Sequence, residues 1–281
     1  MKRVLVPIDF SENSMLALKH GIAIANKLQS ALRIIHVKTG SHYAPEFARQ
    51  EVEVRLNDRI EAWLDWIFNE YAHLYTVPKG VFDYKIREGS VVQQIANQAL
   101  YDDTTMIVIG SHGVSGFSDR WIGSNAYRLA VNAPCPVLVL RPDMNFDPSF
   151  SHIVIPVNLK KSSRKKLPVV AGVAKLFHAR VHLVGLRQSH IKFIFIQLLV
   201  AMGQVQNYLS RKAGVPVDSS TTLTGGNLPQ KLIQYALDVK ADMIAMEVVV
   251  NANPLTDFFR PFLNDLINQA KCPILTIPLK E

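Results

Sequence analysis

The chain repeats itself once. RVLVPIDFSENS at 3–14 is answered by HIVIPVNLKKSS at 152–163, with Pro7 falling on Pro156 at an offset of 149. Towards the end of each copy, APCPVLVLRP at 133–142 is answered by AKCPILTIPL at 270–279, now at an offset of 137. The shorter offset places a net deletion inside the second copy. Two copies of a unit this long make a duplicated domain rather than a solenoid, and 281 residues leave each copy enough chain to bury its own core. The expected domains are 1–143 and 151–281, joined by the short, proline-containing linker MNFDPSF at 144–150.

Inside each copy, short apolar runs alternate with helical periodicity, the pattern of a parallel sheet with crossover helices. The first copy predicts strands near 3–8, 31–37, 81–87, 105–110 and 136–141, and helices near 12–28, 47–74, 90–101 and 124–132. In the 47–74 helix, Leu56, Ile60, Trp63, Leu64, Ile67 and Tyr71 form a core-facing stripe. Trp63 and Trp66 therefore read as packing residues. The second copy predicts strands near 152–157, 180–186, 216–222, 241–247 and 273–278. The expected class is α/β, two small doubly wound domains of five parallel strands and four helices each.

Composition narrows what such a fold can be doing. Apolar residues make up 48% and charged residues 19%, as in a folded chain. The longest apolar run, Phe193–Met202, falls short of the roughly 18–20 residues of a membrane span and follows Lys192, so no membrane partner is expected. The opening MKRVLVPIDF enters a strand pattern at once and lacks a signal-peptide layout. The two cysteines, Cys135 and Cys272, both sit in Cys-Pro contexts at the entry to an apolar strand, which suits buried packing in a reducing, cytoplasmic setting. Charge is uneven: residues 1–145 hold 15 Lys/Arg and 15 Asp/Glu, and residues 146–281 hold 16 and 8, the whole excess of +8. The densest run, KKSSRKK at 160–166, reads as the solvated start of a surface helix rather than a nucleic-acid surface.

The chemistry is concentrated in MIVIGSHGVSGFSDRWIGS at 106–124. In open parallel sheets, ligands settle beyond the carboxyl ends of the strands, where the strand order reverses. The first strand ends there in Pro7-Ile8-Asp9, the second in His36-Val37 and the fourth in Gly110. A rim acid such as Asp9 can accept hydrogen bonds from ribose hydroxyls or an adenine amine. Gly110 and Gly113 allow close backbone approach, and Gly123-Ser124-Asn125 opens a helix whose free N–H groups suit a phosphate. Ser111 and Ser124 add hydroxyl donors. No phosphate loop of the G-x-x-x-x-G-K-[ST] type and no clean G-x-G-x-x-G occurs, so on the residues alone the glycines serve either a phosphate or the turns. His112 lies inside this loop with no identifiable catalytic partner. No His, Cys, Asp and Glu spacing signals a zinc site.

Gly110-x2-Gly113-x9-Gly123-Ser124, followed by Ala133-Pro134-Cys135-Pro136-Val137-Leu138-Val139, resembles the nucleotide motif and closing strand of the universal stress protein family. The opening Val4-Leu5-Val6-Pro7-Ile8-Asp9-Phe10-Ser11 and the Ile35-His36-Val37 strand end are similar to it as well. The resemblance spans nearly the whole chain in two copies. It implies Rossmann-like domains of the adenine nucleotide alpha hydrolase type and binding of ATP, with AMP or ADP as alternatives. By that resemblance Pro7, Ile8, Asp9 and the Val37 backbone hold the adenosine end. Gly110, Ser111, His112 and Gly113 lie along ribose and the first phosphates, and Gly123, Ser124 and Asn125 take the outer phosphates. A Mg2+ ion would be held mainly by phosphates and water.

The second copy departs at each of these places. Asn158 replaces Asp9, and Glu247, Val250, Arg260 and Pro261 stand in the glycine motif, so Glu247 is expected to bring negative charge to the phosphate region and Pro261 to remove an N–H donor. The expected function is an ATP-binding stress-response or regulatory protein with one nucleotide site in its first half. A slow ATPase and a scaffold without nucleotide are the alternatives. By the same resemblance the last strands, Pro136–Arg141 and Pro273–Pro278, are edge strands; both carry little of the charge that protects sheet edges, and they are expected to join the two copies antiparallel. Phe193, Phe195, Leu199 and Met202 belong to a helix start too apolar for one core face, which points to contact with the other domain or another chain, a homodimer or a ligand-lined groove.

Overall fold

The computed structural model describes residues 2–39, 60–111, 124–142, 149–159, 165–188, 191–249 and 259–279. It divides into two compact units, Met1–Pro148 and Ser149–Glu281.

The first unit runs β1 (Arg3–Pro7), α1 (Glu12–Leu28), β2 (Ala31–Lys38), α2 (Ile60–Ala72), β3 (Phe82–Glu88), α3 (Val91–Tyr101), β4 (Thr104–Gly110), α4 (Ser124–Asn132) and β5 (Val137–Leu140). The strands lie in the order β3-β2-β1-β4-β5 and pair in parallel throughout. The order reverses between β1 and β4, so the crevice beyond their carboxyl ends is the topological switch point. β1, β2 and β4 are near-continuous buried apolar runs, as strands covered on both faces must be. Helix α1 starts where Ser11 caps it, its Oγ accepting from the Ser14 amide, and stops at Gln29 in the left-handed region. The helix expected over 47–74 is described from Ile60, where Leu64 and Ile67 are fully buried and Trp63 and Trp66 partly so.

The second unit repeats the plan with β6 (His152–Val157), α5 (Leu167–Leu176), β7 (Arg180–Arg187), α6 (Lys192–Asn207, closed by a π turn at Tyr208–Lys212), β8 (Val217–Thr224), α7 (Leu228–Asp238), β9 (Met243–Val249), α8 (Phe259–Gln269) and β10 (Ile274–Leu279). Its order is β10-β9-β6-β7-β8, again parallel. The registers make the duplication exact to the residue along the first two strands: β1 and β2 map on β6 and β7 at the offset of 149.

The apolar stretch at 193–202 divides between two environments. Leu198, Ala201, Met202 and Val205 are buried against the sheet, and a Cβ on Gly185 of β7 would stand 2.5 Å from the Met202 sulfur. Phe193, Ile196, Leu199 and Val200 are exposed, and Phe195 lies beneath the Arg187 guanidinium at 4.7 Å. Met202 is therefore core, and Phe193 and Leu199 are not. Counted with its π turn, the helix Lys192–Lys212 has 21 residues and is the one helix, among the described residues, long and apolar enough to cross a membrane. Its buried side chains pack on its own unit's sheet.

Candidate functional site at the switch point

The β1–α1 turn builds one wall of the site. Pro7 and Ile8 are buried, and the Ile8 amide donates to the Ile35 carbonyl at 2.9 Å, which fixes the turn to β2. Asp9 emerges half-buried, accepting from the Ser11 amide at 3.1 Å and from Ser11 Oγ at 2.6 Å. The same Ser11 Oγ accepts from Ser14 at 3.2 Å, so Asp9 is tied to the cap of α1. Phe10 between them takes a left-handed backbone, φ 65°, which a bulky side chain holds only when its surroundings insist. Its ring is buried against His36, with centroids 4.7 Å apart.

His36 is a strut in this turn. Its Nδ1 donates to the Ile8 carbonyl at 2.8 Å, and burial pushes its pKa below the usual 6.5 despite that bond, keeping the ring neutral. Val37, next along β2, is buried.

β4 supplies the facing wall. Gly110 sits opposite Leu140 in register, and the Ser111 amide donates to the Leu140 carbonyl at 2.6 Å. A Cβ on Gly110 would lie 2.8 Å from the Asn13 carbonyl oxygen, so the first turn of α1 packs directly on this glycine. That contact demands glycine at 110 whatever the crevice holds. Ser111 is fully buried, and Asn125, in the first turn of α4, is exposed. The fold thus gathers Pro7, Ile8, Asp9, Val37, Gly110 and Ser111 at the carboxyl ends of β1, β2 and β4, with Ser124 and Asn125 opening α4. His112, Gly113 and Gly123 lie outside the described residues.

The second unit fills the corresponding crevice with an ion pair. By register Glu247 of β9 takes the place of Gly110, and by offset Lys166 takes that of the buried Ala17. Lys166 Nζ bonds Glu247 Oε2 and donates to the Pro156 carbonyl at 2.6 Å, while Asn158 Nδ2 donates to Glu247 Oε1 at 2.6 Å. Lys166 is 1% exposed and Glu247 7%. Two sequence expectations are corrected here. Lys166, the last residue of the basic run, is buried rather than solvated, and the Glu247 charge is compensated inside the protein instead of facing a ligand. Neither was legible, because the partners stand 81 residues apart.

Cys135 and Cys272 are both buried, with their thiols pushed up to about 12 by desolvation, the condition of unreactive packing cysteines.

The sequence model of the universal stress protein family matches residues 1–141. The chain belongs to the universal stress protein family. A universal stress protein of Bacillus subtilis is 31% identical over 150 residues, covering 50% of this chain and 98% of that protein. One from Mycobacterium tuberculosis is 27% identical over 233 residues, covering 80% and 79%. The crystal structure of a universal stress protein from Archaeoglobus fulgidus superposes with a TM-score of 0.74 at 15% identity, covering 98% of each chain. That likeness extends the Rossmann-like universal stress protein fold across both units.

Proposed function

We propose that the first unit binds one adenine nucleotide, ATP foremost, and that the chain is a cytoplasmic stress-response regulator reading that nucleotide. The observation that carries the reading is the switch point itself. Asp9 and Gly110 close its two sides, and the chain leaving Ser111 continues into the Gly113-x9-Gly123-Ser124 motif before α4. A helix start such as that at Ser124 points backbone N–H groups and its positive dipole end toward a phosphate, with Mg2+ on the phosphates. His36 is committed to the Ile8 carbonyl and Asp9 to Ser11, which favours binding over hydrolysis at this site.

The second unit is a structural copy, its crevice occupied by Lys166 and Glu247. Calorimetry of the full chain is the test. We expect one ATP per chain, abolished by Gly113→Val or Gly123→Val, and weakened for ATP when divalent ions are chelated. Two equivalent sites, or unaltered affinity in both variants, would refute it. Two further proposals are pairing of the copies through Pro136–Arg141 and Pro273–Pro278, which rests on the sequence, and self-association through the apolar helix near 193, whose Phe193, Ile196 and Val200 are exposed. Disulfide trapping between cysteines placed in the two strands, and light scattering, test them.

A further inference from the structure

The amino-terminal end of the sheet, opposite the switch point, differs between the two copies in a way the nucleotide reading leaves unexplained. In the first unit this end is an arginine network. Arg33 on β2 bonds both Asp83, at 2.5 and 2.7 Å, and Asp102, at 2.6 and 2.8 Å. Arg3 on β1 bonds Asp102 at 2.8 Å, and Gln98 donates to the same carboxylate at 2.8 Å. Both arginines have a carboxylate partner.

Strand register and repeat offset carry these positions onto the second unit, Arg3 to His152, Arg33 to His182 and Asp83 to Ser219. Asp102, which follows α3, becomes Val239, which follows α7, and Gln98 becomes Tyr235. Both arginines have become histidines, and both their acids have been lost. In their place His152 Nδ1 and His182 Nε2 face each other at 3.0 Å, with the rings nearly stacked at 29°. Asp218, the neighbour of Ser219 at the start of β8, supplies a carboxylate. One ligand atom from each of His152, His182 and Asp218 lies within 4.8 Å of the others.

We infer that His152, His182 and Asp218 form a binding site for a first-row divalent transition-metal ion such as zinc. Two nitrogens each about 2.0–2.1 Å from one zinc ion lie roughly 2.9–3.4 Å apart at angles of about 90–110°, so the 3.0 Å spacing of the two imidazoles matches that of a shared metal. The metal would take the place of the hydrogen-bonding proton now between them once His152 carries its proton on Nε2. Two nitrogens and one carboxylate oxygen are a zinc donor set, with water completing the shell. Orientation is already supplied. His182 Nδ1 lies 2.8 Å from Ser219 Oγ, which lies 2.6 Å from Tyr235 Oη, and either hydroxyl can be the donor in that last bond. When His182 Nδ1 donates to Ser219 and Ser219 to Tyr235, the Nε2 lone pair is presented to the metal, the outer-shell arrangement that ligating histidines use. Burial and the neighbouring His152 hold the His182 pKa below 6.5, so the ring is in the neutral, ligating form. Arg180 competes for Asp218 at 3.2 Å, but that pair is exposed and weak.

The test uses the full chain, stripped with chelator and titrated with Zn2+ by calorimetry, and with Co2+ followed by its visible absorption. We expect one site of this kind per chain. His152→Asn should remove it, Asp218→Asn should weaken it by about tenfold or more, and Ser219→Ala, a positioning change, by roughly 10-fold. Circular dichroism checks that each variant is folded. If His152→Asn does not fold, Asp218→Asn decides, because Asp218 lies at the surface. No saturable zinc binding, or zinc binding unchanged by both His152→Asn and Asp218→Asn, overturns the inference and leaves the cluster a hydrogen-bonded network only.

Discussion

At the scale of single residues, Gly110 carries two demands, one from packing and one from the proposed ligand. The packing demand is immediate: a methyl group at 110 would meet the Asn13 backbone at 2.8 Å, and backbone cannot swing aside as a side chain can. Gly110→Ala should therefore destabilise the first unit by about 1–3 kcal/mol, read as a lower urea midpoint without nucleotide present. An unchanged midpoint would mean that α1 shifts freely, and the switch point would then be less rigid than drawn. Histidines set a second expectation at this scale. Burial holds His20 and His36 below their ordinary 6.5. The unfolded chain then takes up protons near 6.5 that the folded chain refuses, so this contribution is complete above that value and fades as pH falls through it toward the folded pKa values. Urea midpoints should drop between about pH 7 and 5.5, and His20→Gln should flatten the drop. A midpoint that rises on acidification over that window would contradict the assignment.

Among the elements, what was legible in the sequence follows from local periodicity, and what was not follows from distance along the chain. The ten strands fall within a residue or two of their expected ends because most are short apolar runs bounded by turn or cap residues, and the two mixed ones, Phe82–Glu88 and Val217–Thr224, alternate or carry β-branched residues. Asp9 and Gly110 were legible as rim residues because strand ends are local features. The same reading could not find the His152–His182–Ser219–Tyr235 cluster, whose members are joined only by sheet register. It misjudged Glu247 for the same reason, since its partner Lys166 sits in what looked like a solvated basic run. The pair makes a direct prediction. Lys166→Met leaves Glu247 buried without its cation and should cost about 3–5 kcal/mol, whereas Lys166→Met combined with Glu247→Leu should recover most of that loss. A double-mutant cycle in urea measures it. Additive effects of the two changes would show that they do not act as a pair.

For the whole molecule, the two copies differ at both ends of their sheets. The second holds a buried ion pair where the first has Gly110, and imidazoles where the first has an arginine network. Its α6 carries an outward apolar surface. Phe193, Ile196 and Val200 recur at helical spacing on one side of α6 and are 66%, 58% and 55% exposed, whereas Leu198, Ala201 and Met202 on the other side are core. Phe195 is a poor probe of that surface, being half-buried beneath Arg187. The exposed three are the informative positions. Burying such side chains contributes about 1.5–3 kcal/mol each, which together approaches the roughly 8 kcal/mol of a micromolar complex before the cost of association is met. Additional contacts around them would have to meet that cost, so self-association should be weak and steeply sensitive to each residue. Ile196→Glu should leave the fold and the proposed ATP stoichiometry intact while shifting the mass seen by light scattering toward the monomer at tens of micromolar chain. A wild-type chain that stays monomeric at that concentration, or an Ile196→Glu variant of unchanged mass, removes self-association from the account of this surface.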